Sequence, residues 1–360
     1  MREEPAVTDK EYRVDLPEIP VPATRVYAHS TRMSDFDSPD IERILKPAYA
    51  LPAHALRITL REGLSSTHVE TRARPHATIP RLKYEVKRRL HGRQPVVDLS
   101  DGFALETRFM FLGNYAHLVH DLIAPLRCIE RTLAAEGVGE GPIHVVLPAE
   151  APPLAVRVLE EAGIPWLATD GAVRGRILTA SQELNIALLD ELTHQPASLP
   201  GAPVHDRVFV SRRGRRTVLN DDAVTAFLAE RGYVRTFMED LSVTDQWALL
   251  GTAREIVGIH GAGLSSLGFS ALRAQEIDSE GSPAPRFRLV ELFSPGFSST
   301  CFREYAAVLD GRWVGVRGQI TPDVVRDLDV QGNNRAHDMA SFEVDLAALE
   351  EALDYSAALD

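Results

Sequence analysis

Through the second half of the chain, short apolar runs take turns with stretches whose apolar residues recur at helical spacing. RVFVS (207–211), a helix over 221–231, YVRTFM (233–238), a helix over 242–253, EIVGI (255–259), a helix from Gly263, RLVELF (288–293), a helix over 298–309 and RWVGVRG (312–318) follow in order. The short runs predict buried strands and the 3.6-residue periods predict amphipathic helices. Strand and helix alternating at this interval predict right-handed βαβ units on a parallel, doubly wound sheet. Asn220 ahead of Asp221 and Asp222, and Ser242 three residues before Asp245, are the expected caps of two of the helices.

The same alternation is sparser before it. FALETRFM (103–110) predicts a strand, 115–134 a helix, IHVVLP (143–148) a strand and 152–162 a helix, again an α/β layout. The first ~95 residues carry prolines and few periods, so short strands and irregular loops are expected there. ELTHQPASLPGAPVHD (191–206) is proline-rich and lacks apolar periodicity, which marks an interdomain linker with the boundary near Pro200. The expected organisation is an N-terminal domain over 1–199, a Rossmann-like domain over 200–320, and a tail over 321–360. That tail ends in an amphipathic helix near 345–355, expected to pack back across the cleft. The polar insertion 274–286 reads as an exposed loop.

Composition narrows the function. A chain of 360 residues exceeds one ordinary core, which supports two domains. A net charge of -12 argues against broad nucleic-acid binding, so any anion site has to be local. Cys128 and Cys301 are too far apart in sequence for a zinc ribbon or a redox pair, and the N-terminus lacks the apolar core of a signal peptide. No run approaches the roughly 20 apolar residues that span a bilayer, and a cytoplasmic protein is expected. Arg81, Lys83, Lys87, Arg88, Arg89 and Arg93 crowd a helix against Glu85. That helix is a solvated face, or at most a peripheral contact with an anionic surface through residues 81–93.

Chemistry concentrates in four places. In IVGIHGAGLSSLGFS (256–270) an apolar strand runs into His260, Gly261, Ala262, Gly263 and Leu264 and then a helix, a layout that brings backbone amides to a diphosphate at a helix N-terminus. Its spacing departs from the dinucleotide fingerprint, with Ser266 where the third glycine belongs, and no Gly-Lys-Ser/Thr occurs. Ahead of it, Arg212 and Arg213 follow the strand RVFVS and can clamp phosphate with paired hydrogen bonds. Glu291, in RLVELF, is placed to accept from ribose hydroxyls. In the other half, Asn114, His117, His120 and Asp121 sit together; His117 and Asp121 share a helix face, which suits a general base oriented by a carboxylate. Pro125 removes the helical bond to the Asp121 carbonyl and predicts a kink. No further ligand at a recognised spacing accompanies the two histidines, so no metal site is expected. Asp35-Phe-Asp37 and Asp327-Leu-Asp329 are read as chance pairs in a chain with 51 acidic residues.

Asn114-Tyr-Ala-His117 with Asp121, Val-Phe-Val-Ser-Arg212-Arg213, Asp240-Leu-Ser with Gln246, His260-Gly-Ala-Gly-Leu264 and Val-Glu291-Leu-Phe, in that order, resemble glycosyltransferase family 61. The resemblance covers residues 103–318. It implies the GT-B architecture, two Rossmann-like domains with an interdomain cleft, and inverting, metal-independent transfer of a hexose or pentose from a UDP-sugar to a glycan or other hydroxyl acceptor. No other cofactor is implied. His117 or Asp121 would then be catalytic, Asn114 and His120 would support the acceptor side, and Arg212, Arg213, His260, Gly261, Ala262, Gly263, Leu264 and Glu291 would bind the donor. Ala116, Leu118, Ser265 and Ser266 depart from the family's usual residues and leave the sugar open. The lack of an anchor resembles the bacterial branch, which serves capsule and other surface polysaccharides. A binding protein that kept the cleft but not the turnover, and a nicotinamide oxidoreductase, are the competing expectations.

Overall fold

The computed structural model describes residues 9–30, 41–65, 95–139, 141–181, 185–194, 204–272, 285–296, 299, 301–320 and 340–359. Its strands are β1 (Lys10–Leu16), β2 (Ile19–Val21), β3 (Thr24–Ser30), β4 (Ile41–Lys46), β5 (Tyr49–Leu51), β6 (His54–Leu64) and β7 (Val97–Glu106). After these come β8 (Ile143–Leu147), β9 (Trp166–Ala168), β10 (Val173–Ala180), β11 (Arg207–Ser211), β12 (Val234–Phe237), β13 (Glu255–Ile259), β14 (Arg288–Phe293) and β15 (Arg312–Ile320). The chain is mixed α/β and divides into two compact units: Met1–Pro17 with Ala53–Glu191, and Glu18–Pro52 with Leu192–Asp360. Residues 18–52 therefore go with the C-terminal half of the chain, because β3 adds to the far side of β15.

In the first unit the sheet order is β1-β6-β10-β7-β8-β9. Only β10, β7, β8 and β9 run parallel; β6 pairs antiparallel with both β10 and β1, so this sheet is mixed rather than wholly parallel. The described residues up to Glu106 supply β1, β6 and β7 to this sheet, the short strands expected there with β6 and β7 longer. Val97–Glu106 also lies earlier than the strand expected over 103–110, since the chain bends away at Thr107.

The second unit has the order β12-β11-β13-β14-β15-β3-β4, parallel except for the edge strand β4. Within its C-terminal strands this is the order 2-1-3-4-5. The chain leaves β11 toward β12 and then crosses back to β13, so the order reverses between β11 and β13. The carboxyl ends of those two strands mark the topological switch point, the usual ligand position in an open α/β sheet. Val257, Ile259, Val290, Leu292, Val314 and Val316 pack into one core with Val224 and Leu228 of the helix Asp221–Ala229 and Leu349 of the helix Leu346–Ala357. Side chains alternate across a strand, so Glu291 and Trp313 face the other way. Cys301–Val308 packs against β15.

Ser242 caps its helix as expected, accepting from the Asp245 amide at 3.0 Å. Asn220 does not: its amide donates to the Val344 carbonyl (2.8 Å) and accepts from the Val344 amide (3.0 Å), tying the last helix's lead-in to the sheet. The segment after β13 is a 3-10 helix, Ala262–Leu272, where an α-helix was expected. The basic stretch 81–93, both Asp-x-Asp pairs, residues 195–203 of the linker, residues 274–284 of the loop and residues 321–339 of the tail lie outside the described residues. Among the described residues, no helix is long and apolar enough to cross a membrane.

Candidate active site

In the first unit, Asn114 starts the helix that carries the histidines, accepting from the Ala116 amide at 2.9 Å. One α turn, Tyr115–His117, passes into a π-helical turn, Leu118–Ile123, and then into the α-helix Ala124–Ala135. Pro125 has no N–H to give the Asp121 carbonyl, and at the position where the sequence predicts a kink the chain widens into i→i−5 bonding, with the Ala124 amide on the Val119 carbonyl. This segment presents His117 and Asp121 together. His117 Nδ1 donates to Asp121 Oδ2 at 2.7 Å, and His120 Nε2 is 3.5 Å from the same oxygen. Burial pushes the Asp121 carboxyl up, but hydrogen bonds from His117 and His120 outweigh it and hold the group well below the usual carboxylate range. With Nδ1–H committed to the carboxylate, the neutral His117 ring keeps its lone pair on Nε2, the form a general base needs. Phe111, 67% exposed, sets its ring edge-on 5.3 Å from His117. Sequence reasoning passed over Phe111 because an exposed aromatic in the short connection before Gly113 carries no periodic signal.

His117 Nδ1, His120 Nε2 and an Asp121 oxygen converge within 4.8 Å, close enough for one cation. The expectation of no metal weighed only the lack of a further ligand at a recognised spacing; the three residues, three and four apart, share one side of this segment. Nearby, Arg108 and Glu106 form a buried ion pair, with Nε to Oε1 at 2.8 Å, and Arg108 also donates to the Gly171 carbonyl at 2.6 Å. That guanidinium is taken up in holding the fold.

In the second unit, Arg212 and the glycine loop meet where the strand order reverses. Arg212 Nη1 donates to the His260 carbonyl at 3.0 Å, and a Cβ on Gly261 would stand 2.5 Å from that nitrogen. Neither Gly261 nor Gly263 has a left-handed φ. Their value is room: for Arg212 at Gly261 and for the Met238 side chain, 2.9 Å from a Cβ on Gly263. Gly258 does the same for Leu264, which is fully buried and anchors the loop in the core. Burial lowers the Arg212 pKa from its ordinary value, a charge kept partly out of water next to the loop. Arg213 is placed differently. Its guanidinium grips Asp240 at 2.6 and 2.8 Å and stacks on Phe237, 3.8 Å from the ring centre. Arg207 pairs with Glu255 at 3.0 Å at the opposite end of β11.

Glu291 is buried, with one carboxylate oxygen on His260 Nδ1 and the other accepting from Trp313 Nε1 at 2.6 Å. A ribose hydroxyl would have to share these oxygens. Trp313, like Phe111, is a residue that sequence reasoning did not find; it reads as one more apolar strand position.

A family model described as Glycosyltransferase 61 matches residues 115–275. The match runs from the His117 turn of the first unit through the His260 loop of the second, and the resemblance seen in the motifs holds over that stretch. Glycosyl transfer is the class of activity it implies. No curated protein matches the chain.

Proposed function

We propose that this chain is an inverting GT-B glycosyltransferase that moves a hexose or pentose from a nucleotide diphosphate donor, with UDP as the nucleotide, to an acceptor hydroxyl. The acceptor is a surface polysaccharide or related glycoconjugate, as in the bacterial branch of the family. The observation that carries the reading is Arg212 hydrogen-bonded to the His260 carbonyl at the reversal between β11 and β13, inside the family-matched stretch. Anions and nucleotides favour that position in open α/β sheets, and a guanidinium there offsets the charge that builds on a departing diphosphate. In the other unit, the His117–Asp121 pair supplies the base.

The reaction balances as follows. The bond between the anomeric carbon and the β-phosphate oxygen breaks, and its electron pair stays on the phosphate. The acceptor oxygen bonds to the anomeric carbon from the opposite face, and its proton passes to His117 Nε2. Arg212 supplies positive charge that a metal gives in other transferases. The experiment is release of UDP from a panel of UDP-sugars, with and without glycan acceptors. His117→Ala is expected to cut turnover by about 10²–10⁴-fold while sparing donor binding, and Arg212→Ala to weaken donor binding. Equal loss of both properties in both variants, or donor binding with no transfer by the wild type, counts against the proposal.

A further inference from the structure

In CFREYAAV (301–308) the helix buries Phe302, Tyr305 and Ala306, the spacing of an amphipathic helix, and it buries Arg303 with them at 4% exposure. Arg303 Nη2 donates to the Pro22 and Pro47 carbonyls, each at 2.6 Å, and to the Lys46 carbonyl at 3.4 Å, and the Tyr49 ring lies 5.0 Å from the guanidinium. All of these partners are neutral. Glu304, next along the chain, accepts from the Tyr49 hydroxyl at 2.8 Å. Among the described residues no carboxylate pairs with Arg303, and its Nε is buried without a partner. Burial lowers the Arg303 pKa from its ordinary value, and burial, then Arg317 and Arg303, lower that of Lys46. A cation held away from water costs several kcal/mol unless a counter-charge and hydrogen bonds restore what hydration gave. Here the hydrogen bonds are half supplied and the counter-charge is missing.

Arg303 lines a cavity of about 370 Å³ that lies wholly within the second unit, a size inside the roughly 300–1,000 Å³ range of small-molecule sites. The cavity sits where β3 and β15 begin, at the edge of the sheet opposite the strand ends that carry Arg212 and His260. Pro20, Pro22, Ala306, Ala307 and Trp313 give it apolar walls. Thr24 Oγ1 donates to the Trp313 carbonyl at 2.5 Å and fixes the start of β3 on β15. Two other charged residues reach the cavity: Arg312, a second cation, and Asp310, which pairs with Arg286 at 3.7 Å. The carbonyls of Tyr305 and Ala306 accept from the Leu309 and Gly311 amides at 3.0 and 2.8 Å, so the helix end beside the cavity is capped.

We propose that this cavity binds a small aliphatic carboxylate, with Arg303 holding the carboxylate and the proline, alanine and tryptophan walls taking the chain. A guanidinium recognises a carboxylate through charge-assisted hydrogen bonds, and the ligand brings the counter-charge that the protein leaves out. The walls decide what carries that charge. An inorganic anion buries no apolar area against them, whereas each methylene of an aliphatic chain gains about 0.8 kcal/mol on leaving water. The site shares no residue with the Arg212–His260 loop and stands apart from the donor reading.

The test is calorimetric titration of the full chain with octanoate, 1-octanol and octylamine, alongside thermal melts. Octanoate is expected to bind saturably and to raise the melting temperature. The alcohol, with the same chain and no charge, should bind roughly 10- to 100-fold more weakly, the worth of a hydrogen bond to a charged group, and the amine more weakly still. Arg303→Met should bring octanoate down to the affinity of 1-octanol. Arg303 also ties two turns together, so Ala307→Phe, which fills the cavity and leaves the guanidinium in place, keeps the test alive if Arg303→Met does not fold. It should weaken octanoate by roughly 10-fold or more. Equal affinity for octanoate and 1-octanol, octanoate binding that Ala307→Phe leaves unchanged, or no octanoate binding by the wild type overturns the proposal, and the donor reading stands or falls separately on UDP.

Discussion

Gly261→Ala is expected to separate ligand binding from folding. The position has no left-handed φ, so alanine's backbone fits, and the added Cβ meets a single obstacle: Arg212 Nη1 at 2.5 Å. Ordinary contact lies about 1 Å farther out. The guanidinium is the free-moving end of a long side chain and can yield that distance at little cost to the fold. Its 3.0 Å hydrogen bond to the His260 carbonyl cannot survive the same displacement. A hydrogen bond to a charged group contributes about 1.5–3 kcal/mol, so donor affinity should fall by roughly 10- to 100-fold. Gly258→Ala is the control. There the Cβ would stand 2.6 Å from Leu264, a side chain with no open space to enter, so the cost falls on stability, about 1–3 kcal/mol of overpacking. Calorimetry with UDP and a thermal melt on each variant decide the matter. If Gly261→Ala binds UDP as the wild type does, or melts as far below it as Gly258→Ala, then Arg212 is not the group that the glycine makes room for.

Three further outcomes follow from the first unit. Asp121 has a depressed pKa, so its contribution to stability is present above the unfolded carboxylate value, about pH 4, and is lost as pH falls below it. Asp121→Asn should therefore be less stable at neutral pH by on the order of 1–3 kcal/mol, with the gap closing in acid; parallel denaturant curves at all pH values would contradict this. Phe111→Ala, at an exposed ring beside the base, should raise acceptor KM about 2- to 10-fold through lost stacking and leave the melting temperature unchanged. Excess Zn²⁺ should inhibit by engaging His117, His120 and Asp121 at once, with EDTA restoring activity and by itself lowering nothing. Inhibition that persists in His120→Ala at the same zinc concentration would place the ion elsewhere.

What the sequence disclosed, and what it withheld, follows from the range of the interactions concerned. β11, β13, β14 and β15 fall within a residue or two of their apolar runs, because a strand buried on both faces of a parallel sheet leaves a nearly continuous apolar signature. Their spatial order is a different matter. That β3 lies beside β15 depends on pairing across nearly three hundred residues, and nothing local in TRVYAHS announces it. The histidine cluster was legible because His117, His120 and Asp121 are three and four apart, within one helical turn. The π turn was half legible: Pro125 marked where a hydrogen bond must fail, but how a helix accommodates the loss depends on its surroundings. Glu291 is the instructive case. Its place on a strand was read correctly, and its side chain was read as facing a ligand, since a charge in an apolar run usually marks a site. The structure gives both oxygens to protein donors, one on β15 and one at the end of β13. A buried carboxylate partnered from two other strands is a device for fixing the direction of something else, and the group it fixes is the histidine at the mouth of the glycine loop.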